Sequence, residues 1–337
     1  MLDPRWDPFL SGHPQSSVFH TPAWLQALHR TYGYQPVVFT HAAPGGDLHD
    51  AVLFCRVKSW LTGSRLVSLP FSDHCQPLVS DPASLPFLIP SLSPRGTKYI
   101  EIRPRTGPGA AIGPLLAGSG ARHYHFHLLD LRPGAEAVFQ GFHKDCVQRK
   151  IQRAGRECLV YEQGNSPELL REFYRLQVVT RRRQQLPPQP FAWFRNLAVC
   201  MGEQLQVHIA RKDRRPVAAI LTLRYRQALV YKYGCSEKAL SSLGGTQWLF
   251  WKAIQNAVRD GLVEFDLGRT DWNNEGLVRF KDRLGAASST LTYFRWPAAS
   301  SPAVADGWAA AAAHRIFARL PEPCLVAAGN LLYRHLG

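Results

Sequence analysis

The chain has 337 residues, 45 % hydrophobic and 19 % charged, a globular composition with apolar matter for sizeable cores and, by length, two ordinary domains. Forty Lys and Arg against 25 Asp and Glu leave a formal charge of +15, which favours anionic partners: RNA, a nucleotide cofactor, a phosphorylated precursor or an anionic membrane face. The seven scattered cysteines form no C-x-x-C pair and the chain contains no run of about 18 apolar residues, which argues against a disulfide framework, a zinc ribbon and a transmembrane helix.

In chain order, "FHTPAWLQALHRTYGY" (19–34) opens on a Thr-Pro cap signal, and Trp24, Leu25, Leu28 and Tyr32 recur at helical spacing. Strand-like runs follow at 36–40, 51–57 and 65–70. A Pro-rich helical stretch (82–93) leads to "KYIEIRPR" (98–105), a Gly/Pro-rich loop to Gly120, and the alternating strand "RHYHFHLLDL" (122–131). A basic helix is expected over 135–154, a strand over 158–163, and helices over 167–184 and 190–201. Three strands then come in quick order, "QLQVHIAR", "PVAAILTLRY" and "ALVYKYGC". Next are a helix from "GGTQWLFWKAI" (244–261), the strand "VEFDLG" (263–268), a short helix around Phe280-Lys281 and a closing strand at 289–296. Each half runs helix, strand meander, helix and acid-bearing strand, a rhythm that fits duplicated α+β domains. The tail reads as two short helices broken at Pro321 and Pro323, docked on the domain or, as the alternative, lying on a membrane surface.

Five sets of residues carry groups suited to chemistry. "FDLGRTDWNNEGLVRFKDRLGA" (265–286) places Asp266, Arg269 and Asp271 at a strand end, where loops hold functional groups on a rigid scaffold, and brings Lys281 on the helix that follows. "SSLGGTQW" (241–248) opens a helix on Gly244-Gly245, so its first N–H groups face outward as an anion site. "PFSDHCQP" (70–77) carries Ser72, Asp73 and His74 on a Pro-stiffened loop suited to holding an acceptor. Its His74-Cys75 adjacency also raises a thiol nucleophile, although such pairs usually meet across a fold rather than along it. His123, His125 and His127 share one strand face, a spacing open to a metal or to plain surface chemistry; no metal is expected. Arg149, Lys150 and Arg153, with Arg181, Arg182 and Arg183, form basic runs that either grip phosphates or are solvated.

The order meander, Gly loop, helix, strand and closing helix–strand pair resembles the GNAT acyltransferase fold. Together "FHTPAWLQAL", "TRRRQQLPPQPFAWF", "GGTQWLFWKAI", "FDLGRTDWNNEGLVRFKDRLGA" and "YFRW" are similar to the FemAB-like branch of that superfamily over about residues 15–298. The resemblance implies an α+β chain of two tandem GNAT-like domains, mixed and mainly antiparallel sheets flanked by helices, over 1–134 (acceptor side) and 135–298 (acyltransferase), with a helical tail over 299–337. It implies N-acyl transfer from acyl-CoA to an amine on a cell-envelope, polysaccharide or peptide precursor, with aminoacyl-tRNA as the alternative donor. A nucleic-acid or precursor-binding protein without turnover is the reading from another class. Ser241, Gly244, Gly245 and Thr246 correspond to the donor pyrophosphate loop, with Thr246 where a second small residue usually stands. Asp266, Arg269, Asp271 and Lys281 are the expected catalytic groups, either acid serving as base. Ser72, Asp73, His74, Arg181, Arg182 and Tyr233 are the expected substrate contacts. The MLDPRWDPFL start lacks a signal-peptide pattern, so the expected location is cytoplasmic, with contact at the inner membrane face as an option.

Overall fold

In the computed structural model, residues 3–81, 85, 97–106, 120–296, 316–317 and 319–337 are described. Most of the expected helix at 82–93, of the Gly/Pro loop before Gly120 and of the first tail helix lies outside these residues. The chain divides into two compact units: unit 1 holds 1–124, 291–310 and 330–337, and unit 2 holds 125–290 and 311–329.

Unit 1 begins with α1 (Trp6–Gly12) and α2 (Pro22–Tyr32). The α2 start follows from its sequence: Thr21 accepts from the Trp24 N–H at 3.3 Å, and Pro22 occupies the first turn, where no N–H is needed. Strands β1 (Gln35–Phe39), β2 (Val52–Ser59), β3 (Gly63–Val67) and β4 (Tyr99–Ile102) follow, β1–β2–β3 antiparallel and β3–β4 parallel. Val52, Phe54, Leu66, Ile100 and Ile102 form their core. Strand β5 (Gly120–Asp130) carries the unit boundary, between Tyr124 and His125.

Unit 2 continues with α3 (Ala135–Gln140), a π-turn at Lys144–Gln148 and α4 (Arg149–Arg156). The single helix expected over 135–154 is therefore broken. Gly141 ends α3, and extended His143 turns its ring to accept from the Cys146 N–H at 3.3 Å, restarting the chain. Next come β6 (Val160–Gly164), α5 (Pro167–Arg183), α6 (Phe191–Met201), β7 (Leu205–Lys212), β8 (Arg215–Tyr225), β9 (Ala228–Ser236), α7 (Gly245–Arg259), β10 (Glu264–Asp271) and α8 (Glu275–Asp282). The strand order in this unit is β5-β10-β9-β8-β7-β6, antiparallel from β6 to β9 and parallel between β9 and β10. Val217 to Leu223 of β8 are all buried, as a central strand covered on both faces requires. Leu249, Phe250 and Ile254 of α7 pack on one face with Ile151 and Phe265, and Phe173 of α5 and Phe194 of α6 meet on the other.

The chain then returns to unit 1 through β11 (Ala287–Trp296), whose Phe294–Trp296 pair antiparallel with Ile102–Ile100 of β4. Helix α9 (Glu322–Leu336) closes the chain. Pro323 does not break this helix: it lies in the first turn, where its missing N–H costs nothing. The α+β class expected from the sequence, mainly antiparallel sheet flanked by helices, is the class observed.

Candidate functional site

Strands β9 and β10 pair over three residues only, Ala228–Val230 with Glu264–Asp266, although β9 continues to Ser236 and β10 to Asp271. At the same level β9 shifts register against β8: Thr222 opposes Tyr231 and Leu221 opposes Tyr233, making Lys232 the extra residue of a bulge. The bulge inverts the side-chain alternation. Tyr231 meets Phe250 of α7 at 4.8 Å, whereas Tyr233 turns to the other face, against Phe194 at 5.1 Å. The Trp193 Nε1–H donates to the Tyr233 hydroxyl at 2.8 Å. Parallel strands that part at their carboxyl ends leave an opening where ligands characteristically enter α/β sheets.

β9 leads through a 3-10 turn (Lys238–Leu243) into α7. Gly244 takes φ +79°, and a Cβ there would strike the Lys150 carbonyl of α4; a Cβ on Gly245 would lie 3.2 Å from Val217 Cγ2 and 3.3 Å from Ala218 Cβ. Both glycines thus let the helix start close on its neighbours. No side chain caps α7, and its first internal bond runs from Trp248 N–H to the Gly244 carbonyl, so the N–H groups of Gly245, Thr246 and Gln247 have no intrahelical acceptor. Ser241 turns away, donating its hydroxyl to the Lys238 carbonyl at 2.8 Å.

The loop after β10 is held from beneath. Lys281 is 2 % exposed, and its Nζ donates to the carbonyls of Gly268 (2.9 Å) and Arg269 (3.2 Å). Phe280, its neighbour, packs on Phe250 at 5.3 Å, and Gly285 takes φ +73° with its Cβ position 3.3 Å from the Gly141 carbonyl oxygen. The Phe-Lys pair before a glycine is thereby explained locally: one side chain enters the core, the next clamps the strand end, and the glycine turns the chain. Asp266 is buried and accepts from the Gly268 N–H at 2.7 Å, while Asp271 is exposed at the last position of β10. The Asn274 side chain caps α8 by accepting from Leu277 N–H at 3.2 Å.

Sequence reasoning missed two partners of this loop. His127 of β5, fully buried, lies 3.1 Å through Nε2 from Asp282 Oδ1; burial first, then the nearby Lys281 charge, lowers its pKa while Asp282 opposes them. His125 stacks on Trp272 at 4.2 Å. The alternation of 123, 125 and 127 signalled a shared face, but a pairing across 155 positions has no local signature.

Residues 143–282 match the family described as the acetyltransferase (GNAT) domain. Most of the chain is similar to the solved structure of FemX (TM-score 0.68, 13 % identity, 87 % of this chain and 96 % of that one). The L-PGS of Bacillus licheniformis aligns at TM-score 0.58 and 15 % identity, over 94 % and 98 % of the two chains. The C-terminal domain of a putative lysylphosphatidylglycerol synthetase from Agrobacterium fabrum aligns at 0.57 and 13 %, over 86 % and 90 %. The chain shares the fold of FemX over most of its length and carries a GNAT domain match over 143–282. No curated protein matches the sequence significantly.

Within this GNAT fold Asp266, Arg269 and Lys281 come together at the end of β10, beside the β9–β10 parting, and Tyr233 lies on β9 just past it. Arg181 and Arg182 end α5, where the Arg181 Nη1 donates to Gln184 Oε1 at 3.3 Å and Arg182 is exposed. Ser72, Asp73 and His74 belong to unit 1. The Ser72 hydroxyl donates to the Leu69 carbonyl at 2.8 Å, the Asp73 carbonyl accepts from the Tyr293 hydroxyl at 2.5 Å, and buried His74 packs edge-on to Phe19 at 5.2 Å. Cys75 lies 3.4 Å from His20 Nε2, and burial pushes its thiol pKa up, away from nucleophile chemistry. Of the basic run, Arg149 pairs with Asp145 at 2.8 Å and Arg153 with Glu157 at 3.5 Å, a helix-surface arrangement. Among the described residues no group of three or more His, Cys, Asp or Glu is arranged for a metal, and no helix is long and apolar enough to cross a membrane.

Proposed function

We propose that the protein transfers an acyl group from a CoA thioester to an amine on a cell-envelope, polysaccharide or peptide precursor. The observation that carries this reading is the parting of β9 from β10 directly ahead of the uncapped start of α7. A pantetheine arm fits between diverging strands, and a pyrophosphate suits the Gly245, Thr246 and Gln247 N–H groups at a positive helix end. The amine nitrogen attacks the thioester carbonyl, the C–N bond forms, the C–S bond breaks, and the CoA thiolate leaves. The amine proton passes to Asp271, the exposed carboxylate at the end of β10; Asp266, already bound to the Gly268 N–H, shapes the turn. Arg269 supplies positive charge at the developing oxyanion, and Lys281 holds the main chain that carries both. Arg181, Arg182 and Tyr233 are assigned to the substrate. Of the 72–74 loop, Ser72 and His74 are buried and Asp73 is half-buried; Asp73 is assigned to the acceptor.

Calorimetric titration with acetyl-CoA tests the donor. Saturable binding is expected, weakened at least about tenfold in Thr246→Glu. A carboxylate in the first turn suits the helix dipole and keeps the fold, while it repels the pyrophosphate. Wild-type protein that binds no acyl-CoA would defeat the CoA donor and bring aminoacyl-tRNA forward. Binding without transfer to any amine would favour the binding-only reading.

A further inference from the structure

The turn between β2 and β3 presents its largest apolar side chains to solvent: Trp60 is 86 % exposed and Leu61 53 %. The last turns of α9 lie against this hairpin, since Trp60 meets the His335 ring at 5.3 Å and the Thr62 hydroxyl donates to the His335 carbonyl at 3.0 Å. Leu331, one helical turn before His335 and on the same stripe, is 69 % exposed, and Leu336 is 57 % exposed. Four large apolar groups, on the hairpin turn and the end of α9, therefore lie with most of their surface in solvent.

The charged side chains of these two segments are basic. Lys58 and Arg334 are exposed, and exposed Lys98 runs its stem over Gly63, its Cδ 3.4 Å from where a Cβ would stand. No Asp or Glu occurs between residues 51 and 72, nor in α9 after Glu322. The acid of β4, Glu101, is enclosed by Arg103 and Arg295. The arrangement is also fixed. The guanidinium of Arg65, itself 2 % exposed, donates to the His335 carbonyl (2.7 Å), the main-chain oxygen of Gly337 (2.7 Å) and the Thr62 hydroxyl (2.5 Å), pinning the helix end to the hairpin. Holding a protruding tryptophan and three leucines rigidly in water, ringed by lysine and arginine, matches what an interfacial lipid contact requires: an aromatic at headgroup depth, aliphatic groups below it, and cations at the phosphates.

We propose that the β2–β3 hairpin tip and the end of α9 form a docking face for an anionic lipid bilayer. The face is a peripheral contact, made without a spanning segment, and it is independent of the acyl transfer, so either can fail alone. Charge complementarity selects the occupant: each Lys or Arg near an anionic surface contributes on the order of 1 kcal/mol, and the chain carries +15 overall.

Co-sedimentation of the full chain with phosphatidylcholine vesicles, with and without phosphatidylglycerol, tests this. Binding is expected only with phosphatidylglycerol and should fall as salt rises. The double variant Trp60→Ser/Leu61→Ser should lose at least about tenfold in affinity with thermal unfolding little changed, because both side chains are mostly solvated and only the Trp60 edge contact with His335 is given up. Lys58→Glu/Lys98→Glu should lose a similar factor. Wild-type protein that ignores phosphatidylglycerol vesicles, binds phosphatidylcholine equally, or keeps full affinity in the Trp60→Ser/Leu61→Ser variant would overturn the proposal. A concentration-dependent dimer abolished by the same substitutions, without vesicle binding, would assign the face to a second copy of the chain instead.

Discussion

Glu101→Gln is expected to destabilise the protein by about 3–5 kcal/mol, the range for removing one partner of a buried ionic cluster. Glu101 is 5 % exposed on β4 and is held by Arg103 (2.7 Å), just past the end of that strand, and Arg295 (2.7 Å) from β11. Burial would push its pKa up, but the Arg103 charge and then Arg295 overcome that and bring it down to about 2. Since the folded pKa lies below the unfolded value near 4.5, the carboxylate's contribution is complete above pH 4.5 and is lost as pH falls toward 2. By linkage it amounts to about 3 kcal/mol. Glu101→Gln leaves two guanidiniums facing each other without their counter-ion, and it also loosens Arg103, whose Nη1 donates to the Leu69 carbonyl at 2.5 Å beside the 72–74 loop. Urea midpoints measured from pH 7 to pH 2.5 would check both points. The wild type should weaken below pH 4.5, and the variant should start lower with a flatter acid limb. Equal midpoints for the two proteins at pH 7 would mean that the cluster contributes nothing net.

Lys281→Met is expected to cost about 3 kcal/mol and to abolish acyl transfer. Methionine nearly matches the lysine stem in volume, so the loss isolates the ammonium and its two carbonyl acceptors. Charge-assisted hydrogen bonds contribute roughly 1.5–3 kcal/mol each, and the carbonyls of Gly268 and Arg269 would be left without that donor at a buried strand end. Asp271→Asn supplies the contrast. Its side chain is exposed, so stability should hold while kcat falls by about 100-fold or more, the usual weight of a general base. A Lys281→Met protein with wild-type stability but no turnover would instead make the lysine a direct reactant, exposed to substrate in some other conformation.

Much of the unit 2 architecture could be read locally. The unbroken apolar run of β8 marks a strand covered on both faces, and Ser166-Pro167 and Thr21-Pro22 mark helix starts because cap and first-turn chemistry are contained within four residues. Gly244-Gly245 was legible as a helix opening for the same reason. What escaped depends on partners distant in sequence. Lys281 was marked for chemistry by the resemblance, but its burial was not legible; only a strand end 12 to 13 positions earlier tells that it is inside. His127 looks like one of three equivalent histidines until Asp282 distinguishes it. The bulge at Lys232 sits in "VYKYG" without a glycine or proline at the extra residue, so period-two alternation puts Tyr231 and Tyr233 on one face when they occupy opposite ones. The break in the 135–154 helix turned on one extended histidine, a conformation that propensity does not encode.

The pairing of β11 with β4 has a consequence for how the chain comes to its final form on the ribosome. Residues 125–290 of unit 2 are one unbroken run, while the last strand of the unit 1 sheet is made 194 positions after its neighbour, as the Glu101–Arg295 contact measures. Synthesis therefore delivers the hairpins of β7–β9 with their partners at hand, whereas β4 must wait, edge exposed, for β11 to emerge. Closing so long a loop adds entropy cost and delay to the earlier-made half. In pulse-labelled hydrogen exchange during refolding, amides of Val207–Leu223 should gain protection before those of Tyr99–Ile102, and the reverse order would show that the first-made half sets the pace. The N-terminal sequence is thus born first and finished last.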